Sequence, residues 1–212
     1  MNTNDSQATK QRVLVNVILD KSGSMGTKVK DVIGGFNLYL DELAKEQTVD
    51  YGFTLTLFDT TVAVKYNAVP LSHVEKLNES SYLPNGNTAL LDAVGETVQT
   101  VKTDGFDKII TVIMTDGEEN SSREWTLPGI RELIKTKETA GKWTFVFMGA
   151  NLDAFAQAES IGVRFANVAR YDQNRYRDVY ASLGKMTNVF SSEPATAAPE
   201  FFKGEAPGIK KS

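Results

Sequence analysis

Two patterns of apolar positions recur along this chain. Short runs of β-branched and other apolar residues, typical of strands buried on both faces, occupy residues 13–19, 108–114 and 143–148. Apolar residues spaced at threes and fours, typical of helices that pack on a sheet, occupy residues 27–47 and 127–140. Because strands and helices alternate, the pattern predicts an α/β fold with a mostly parallel sheet and helices on both faces.

One pair of segments departs from this parallel pattern. Residues 51–58 and 61–69 are both rich in β-forming side chains, and only Asp59 and Thr60 separate them. A connection this short can join antiparallel strands, whereas parallel strands need a long crossover. We therefore predict a β-hairpin here.

The remaining predicted elements are shorter or less regular. They are a helix at 71–77, a loop at 80–87, a helix at 88–102, a helix at 152–160, a strand at 163–168 and a helix at 172–190. We expect one domain over residues 12–190, with flexible segments at 1–11 and 191–212, because the latter is rich in Pro, Ala, Gly, Glu and Lys without periodicity. Phe201 and Phe202 are the apolar feature of that tail, and we expect them to lie on the domain or to have no specific role.

Composition narrows the class of protein. A chain of 212 residues that is 41% hydrophobic can bury one sizeable core. The net charge of −4 argues against nucleic acid as a partner, since that binding needs clustered Lys and Arg. The absence of cysteine excludes disulfides and Cys-ligated zinc, and the first apolar run is too short for a signal peptide or a membrane span. We expect a cytoplasmic protein without a membrane partner.

Five oxygen-bearing side chains are predicted to meet at one edge of the sheet. Asp20, Ser22 and Ser24 follow the first strand at alternate positions, Thr88 precedes a helix, and Asp116 follows the strand at 108–114. Ligands of open α/β sheets bind outside the carboxyl ends of the strands, where these residues are expected. A set of oxygen donors suits Mg²⁺, Mn²⁺ or Ca²⁺ better than zinc or copper.

These residues also carry a family resemblance. The sequence Asp-Lys-Ser-Gly-Ser at 20–24 matches the DxSxS signature of von Willebrand factor A-like domains. Residues 87–92 resemble the family's threonine segment, and residues 114–117 resemble its aspartate segment. The three motifs occur in the family's order within a resemblance that covers roughly residues 12–190.

The resemblance implies a three-layer Rossmann-like fold with one antiparallel edge strand and a metal-ion-dependent adhesion site. In such a site Ser22, Ser24 and Thr88 would contact a Mg²⁺ ion directly, while Asp20 and Asp116 would hold its waters and orient the hydroxyls. An acidic residue of a protein partner would complete the shell. It also suggests an adaptor or regulatory module in a larger assembly. Because the chain is little more than this domain, we expect a bacterial or phage origin.

Other interpretations of the same residues remain open. Each could be structural on its own, as turn or helix-cap residues, which would leave a vestigial site. A Mg²⁺-dependent phosphatase or phosphotransferase could use Asp20 as its nucleophile, although a haloacid-dehalogenase-like site would want an aspartate at the position of Ser22. No hydrolytic triad is expected because the one histidine, His73, is remote in sequence from the serines, and the chain has neither phosphate-binding glycine motif.

Charged neighbours of the predicted site are ambiguous at this level. Lys21 either attracts an anionic ligand or is an ordinary surface residue. Glu118 and Glu119 would repel such a ligand if they faced it. Their orientation decides between these effects.

Overall fold

The predicted strands assemble into a single sheet. The structure is a computed structural model that describes residues 10–149, 154–170, 176–193 and 200–202. Within these residues six strands lie in the order β3-β2-β1-β4-β5-β6. The strands are β1 Gln11–Asp20, β2 Val49–Phe58, β3 Val62–Pro70, β4 Lys108–Thr115, β5 Trp143–Gly149 and β6 Val168–Arg170.

The sheet is parallel except at one edge. β1 pairs in parallel with β2 and β4, and β4, β5 and β6 continue the parallel order. β3 pairs antiparallel with β2, which confirms the predicted hairpin and makes β3 the antiparallel edge strand. In the register of the central strands, Asp20 lies opposite Phe58, and Leu19 lies opposite Met114. The ends of β1, β2 and β4 therefore share one edge.

Helices cover both faces of the sheet, which confirms the predicted three layers. The described helices are α1 Val29–Leu43, α2 Leu90–Thr100, α3 Leu127–Thr139, α4 Ala154–Ser160 and α5 Tyr176–Ser192. Val15 belongs to the core beneath α1 and α5, and its neighbour Leu14 to the core beneath α2, α3 and α4. A Cβ at Gly35 would lie 2.5 Å from the Tyr180 ring, so α1 and α5 pack closely there. None of the described helices is both long and apolar enough to cross a membrane.

The helix predicted at 71–77 is wrong. Only a 3-10 turn at Leu71–His73 forms, and Val74 is already extended. The side chain of Asn37 accepts a hydrogen bond from the Leu77 backbone N–H (2.8 Å) and donates one to the Leu77 carbonyl (2.9 Å). These bonds take both backbone groups of Leu77 away from a helix. His73 lies exposed in the turn.

Two predicted helices begin later than the sequence pattern indicated. A 3-10 turn over Gly23–Lys28 precedes α1, which therefore starts at Val29. α2 starts at Leu90, and Thr88 lies before it because Asn120 binds both backbone groups of Thr88. The strand predicted at 163–168 is also displaced. The N–H of Val163 closes the end of α4 by donating to Ala158, and β6 begins only at Val168.

The last described residues pack on the domain. Phe201 and Phe202 are buried, and the ring centroids of Phe190 and Phe201 are 5.3 Å apart. The Phe201 N–H donates to the side-chain oxygen of Asn167 at 2.8 Å. These contacts lie beyond the boundary predicted at residue 190. Residues 1–9, 194–199 and 203–212 fall outside the described residues, as do 152–153 and 172–175 of two predicted helices, so the flexible segments stay predictions.

Candidate metal centre

Asp20 anchors a polar cluster at the carboxyl edge of the sheet. It is the last residue of β1, and its side chain is fully buried. One carboxylate oxygen accepts the backbone N–H of Ser22, and the other accepts the hydroxyl of Thr115, each at 2.6 Å. Both oxygens are thus oriented by fixed donors. The sequence analysis missed Thr115, the last residue of β4, although its place at a strand end could have indicated it.

Two serine hydroxyls extend the cluster toward solvent. The Ser22 and Ser24 hydroxyl oxygens are 3.1 Å apart, and Ser24 donates to an oxygen of Asp116 at 2.9 Å. The Met25 N–H bonds to the Ser22 carbonyl at 3.0 Å and curls the chain into its 3-10 turn. This curl turns alternate side chains of the loop to one side, as their spacing predicted.

Thr88 reaches the cluster from a third loop. Asn120 holds its backbone by accepting from the Thr88 N–H (2.9 Å) and donating to the Thr88 carbonyl (3.0 Å). A Cβ at Gly117 would lie 2.8 Å from the Thr88 hydroxyl oxygen and 3.5 Å from that of Ser24. The missing side chain of Gly117 therefore leaves space beside both hydroxyls. All five residues chosen from the sequence lie at this edge.

The donor set fits a hard cation. Neighbouring ligands of octahedral Mg²⁺, each about 2.1 Å from the ion, are about 3 Å apart, and the two serine hydroxyls are 3.1 Å apart. Within the described part of the chain, no group of three or more His, Cys, Asp or Glu side chains could hold a metal. An ion at this edge would therefore need the hydroxyl oxygens as well as the carboxylates of Asp20 and Asp116.

Burial shapes the electrostatics of Asp20. Desolvation raises the pKa of its carboxyl above the ordinary value. The hydrogen bonds from Thr115 and Ser22 oppose this effect, and the nearby Asp116 charge adds to it. Burial thus disfavours the charged form of Asp20, and a cation bound beside it would relieve that cost.

Lys28 is a second residue that the sequence analysis missed. Its ammonium group forms an ion pair with the carboxylate oxygen of Asp116 that Ser24 does not bind. The pair is enclosed, with side-chain exposures of 12% for Lys28 and 2% for Asp116. The available signal was the four-residue spacing of Ser24 and Lys28, which favours one face of a helical turn. Asp116 lies 88 positions further along the chain, so spacing alone could not identify the partner.

Lys21 is engaged in an ion pair with Asp59. The other Asp59 oxygen accepts the backbone N–H and the hydroxyl of Thr61, at 2.8 and 2.9 Å. Burial acts to raise the pKa of Asp59, but the bonds from Lys21 and Thr61 outweigh it, so the pKa falls below its ordinary value. Lys21 therefore stabilises the turn of the β2–β3 hairpin and is not an ordinary solvated surface residue.

The loop before α2 holds the first motif in place. The Tyr82 hydroxyl donates to the Asp20 carbonyl at 2.6 Å, and the Asn85 N–H donates to the Lys21 carbonyl at 2.8 Å. The Gly23 N–H donates to the Gly86 carbonyl at 3.0 Å. Between Tyr82 and Asn85 in the chain lies Leu83, a large apolar side chain that is 64% exposed.

The two glutamates after Asp116 differ in orientation. Glu119 accepts backbone N–H groups of Leu91, Ser121 and Ser122 at 2.8 to 2.9 Å. Its carboxylate is therefore committed to positioning the loop and the start of α2. Glu118 is exposed.

Comparison with known proteins identifies the fold. No protein-family model and no curated sequence matches the chain. Among solved structures, it is similar to the vWF domain of the type V pili tip protein Mfa5 from Porphyromonas gingivalis, with a TM-score of 0.70 and 10% identity over 89% of this chain and 99% of that one. It is also similar to a von Willebrand factor type A protein from Catenulispora acidiphila, with a TM-score of 0.58 and 16% identity over 84% of this chain and 43% of that one.

A third similar structure contains metal. It is the manganese-loaded TRAP protein of Plasmodium vivax, with a TM-score of 0.57 and 17% identity over 81% of this chain and 74% of that one. The chain spans less than half the length of the Catenulispora protein and of proximal thread matrix protein 1 from the mussel byssus, at 43% and 47%. Since all these identities are low, the likeness concerns the fold: the chain has the fold of von Willebrand factor A domains.

Proposed function

We propose that this protein is a metal-dependent protein-binding module, an adaptor or regulator within a larger assembly. The observation that carries the proposal is the convergence of three hydroxyls and two carboxylates at the carboxyl edge of the sheet, namely Asp20, Ser22, Ser24, Thr88 and Asp116. Mg²⁺ is the proposed ion, with Mn²⁺ or Ca²⁺ as alternatives of the same oxygen-binding class.

The hydroxyls and carboxylates have separate proposed roles. Ser22, Ser24 and Thr88 would bind the ion directly. Asp20 and Asp116 would supply negative charge, orient the hydroxyls and hold the ion's waters. The existing bond from Ser24 to Asp116 supports this division, because it already orients one hydroxyl. The manganese-loaded neighbour gives further support, since it is a protein of the same fold that holds a divalent ion.

The proposed partner is a protein that presents an Asp or Glu side chain to the ion. A carboxylate matches the open position of a hard cation and its charge. Exposed Leu83 lies in the chain between Tyr82 and Asn85, which bind the backbone of the first motif, and it is the proposed apolar contact for the surface around that carboxylate. Similar structures include the PilB minor pilin of Streptococcus sanguinis and the pilus adhesin SpaC of Lactobacillus rhamnosus GG. They support a role in protein assemblies.

The contacts of Asp20 favour binding over aspartyl phosphoryl transfer. A nucleophilic carboxylate must offer an oxygen to the substrate. The side chain of Asp20 is fully buried, and both of its oxygens already accept hydrogen bonds, from Ser22 and Thr115. We therefore propose that Asp20 helps to hold an ion and does not act as a nucleophile.

Thermal unfolding tests the proposal directly. The wild type and Asp20→Ala are melted in EDTA and in millimolar Mg²⁺ or Mn²⁺, with Asp104→Ala, which removes an exposed carboxylate, as the matched control. An ion at about 100 times its Kd stabilises the folded state by about 2.7 kcal/mol, which shifts the melting temperature of a domain this size by about 5 to 10 °C. We expect that shift in the wild type and Asp104→Ala, and none in Asp20→Ala.

Partner binding requires a second step. Proteins that the wild type retains in Mg²⁺ should be released by EDTA and should not be retained by Asp20→Ala. If the melting temperature depends on the ion but partner binding is insensitive to EDTA, the ion stabilises the fold and does not bind a partner. The absence of a shift in every variant would indicate a vestigial site.

A further inference from the structure

We propose that Lys28 is a built-in counter-ion of Asp116 that competes with the divalent cation and sets the site's affinity for it. The inference rests on the proposed function, because it concerns the ion that this edge would hold. It assigns a role to a residue outside the five-residue motif.

The ion pair engages the carboxylate that would supply charge to the cation and hold its waters. One oxygen of Asp116 accepts the Ser24 hydroxyl at 2.9 Å, and the other binds the Lys28 ammonium group. Only 2% of the Asp116 side chain and 12% of Lys28 are exposed. A charge pair this enclosed is weakly screened by solvent, so it is felt strongly by any ion placed beside it.

Lys28 points toward the cluster because Asp116 attracts it, and the place of Lys28 in the chain supports this explanation. Lys28 is the residue immediately before α1. The amino end of a helix carries a partial positive charge and disfavours a cation. The lysine nevertheless turns toward the cluster, where the two negative charges of Asp20 and Asp116 offset this repulsion.

Charge balance then predicts the effect on ligands. Asp20 and Asp116 carry two negative charges, Lys28 carries one positive charge, and Lys21 is balanced by Asp59. The charge around a bound divalent ion would therefore be one unit more positive with Lys28 present than without it. Lys28 thus weakens binding of the ion alone and strengthens attraction for an incoming carboxylate. Ion and acidic partner would bind cooperatively.

The test compares Lys28→Met with Lys30→Met, which removes an exposed lysine two positions further along the chain. The dissociation constant of Mg²⁺ alone is measured by isothermal titration calorimetry at low and high salt. Loss of a charge a few ångströms from a divalent ion should tighten binding about tenfold or more in Lys28→Met. Lys30→Met should bind as the wild type does. Lys28→Arg, which keeps the charge, should also stay near wild type.

A stability measurement separates competition from damage to the fold. In EDTA, Lys28→Met should melt below the wild type because Asp116 loses its lysine, and saturating Mg²⁺ should close that gap. Equal or weaker Mg²⁺ affinity in a folded Lys28→Met would overturn the inference while leaving the proposed function intact. If neither wild type nor variant binds Mg²⁺ or Mn²⁺, the proposed function itself fails.

Discussion

Two lysine–carboxylate pairs flank the carboxyl end of β1, and their surroundings differ. In the Lys21–Asp59 pair, the second carboxylate oxygen accepts two bonds from Thr61 and closes the hairpin turn. In the Lys28–Asp116 pair, the second oxygen accepts the Ser24 hydroxyl, which leads on to Ser22. The same ion-pair chemistry therefore serves a local turn on one side and a cluster of hydroxyls on the other.

The difference shows what distinguishes the candidate metal centre from its neighbour. A buried carboxylate beside a lysine is common to both sides, so the ion pair alone does not indicate a ligand site. The hydroxyls of Ser22, Ser24 and Thr88 surround only the Asp116 side. Because hydroxyls can bind a hard cation without adding charge, they are the feature that supports metal binding there.

Replacing Asp116 or Asp59 should give the largest difference in how Mg²⁺ stabilises the protein. Asp116→Ala should abolish the Mg²⁺-dependent stabilisation of about 2.7 kcal/mol expected at 100 times Kd. Asp59→Ala should destabilise the protein in EDTA by about 1 to 3 kcal/mol through lost hydrogen bonds, yet keep the full Mg²⁺ shift. Thermal melts with and without Mg²⁺ measure both effects. Equal loss of the shift in the two variants would contradict the contrast.

Filling the space beside Thr88 should have a smaller effect. A Cβ in Gly117→Ala would lie 2.8 Å from the Thr88 hydroxyl oxygen and push it from its place. We expect Mg²⁺ affinity to fall about tenfold, a loss of about 1.4 kcal/mol, because the hydroxyl oxygen would leave the position from which it would bind the ion. Gly26→Ala is the control, because its Cβ would meet nothing within 4 Å. Calorimetric titration with Mg²⁺ should separate the two variants.

The contributions of Asp20 and Asp59 to folding stability should depend on pH with opposite sign. The pKa of Asp20 is raised in the folded protein, so without metal its contribution to stability declines as pH rises from 3.8 to the raised value. The pKa of Asp59 is lowered, so its contribution is present above 3.8 and is lost as pH falls toward the lowered value. In EDTA at neutral pH, Asp20→Asn should therefore melt higher than wild type and Asp59→Asn lower.

Melting curves from pH 3 to 8 check these signs. Both differences should shrink in acid, where the carboxyls become protonated in the wild type. In Mg²⁺ the order should reverse for Asp20→Asn, because the wild type then gains the ion's stabilisation. A lower melting temperature for Asp20→Asn in EDTA would contradict the burial argument.

The smallest effect on the fold is expected at Leu83. Leu83 lies in the chain between Tyr82 and Asn85, which bind the backbone of Asp20 and Lys21, and its side chain is 64% exposed. Leu83→Ser should change stability by no more than about 0.5 kcal/mol and leave Mg²⁺ affinity unchanged. Partner retention in Mg²⁺ should nevertheless weaken. Retention equal to that of the wild type would place the partner elsewhere around the ion.

Much of the fold was predictable because its signals are local. The apolar runs of β1 and β4 reflect strands buried on both faces, and the short turn after Phe58 permits only a hairpin. The helix predicted at 71–77 failed because Asn37, some forty positions away, takes the backbone groups of Leu77. Periodicity contains no information about such a distant side chain.

The residues of the candidate site also differ in how far local sequence could predict them. Asp20 and Asp116 could be placed at one edge because each follows an apolar strand, and parallel strands bring their ends together. Thr115 could have been placed there too, as the last residue of β4, but its bond to Asp20 and the ion pair of Lys28 could not be predicted, because the partners lie 95 and 88 positions away. Sequence thus predicted which oxygens meet, and the packed structure supplied the charges and donors around them.

The far end of the sheet has a practical consequence for attaching the molecule to a surface. Lys108, the first residue of β4, donates to the Phe190 carbonyl at 2.7 Å, and Phe201 packs on the Phe190 ring. β1 starts at this same end with Gln11, nine residues before Asp20 at the carboxyl edge, which is roughly 30 Å away at strand spacing. A tether joined at Gln11 or Phe202 would therefore attach at the end of the sheet opposite the hydroxyl cluster. A biosensor coated through either residue would leave that cluster away from the point of attachment.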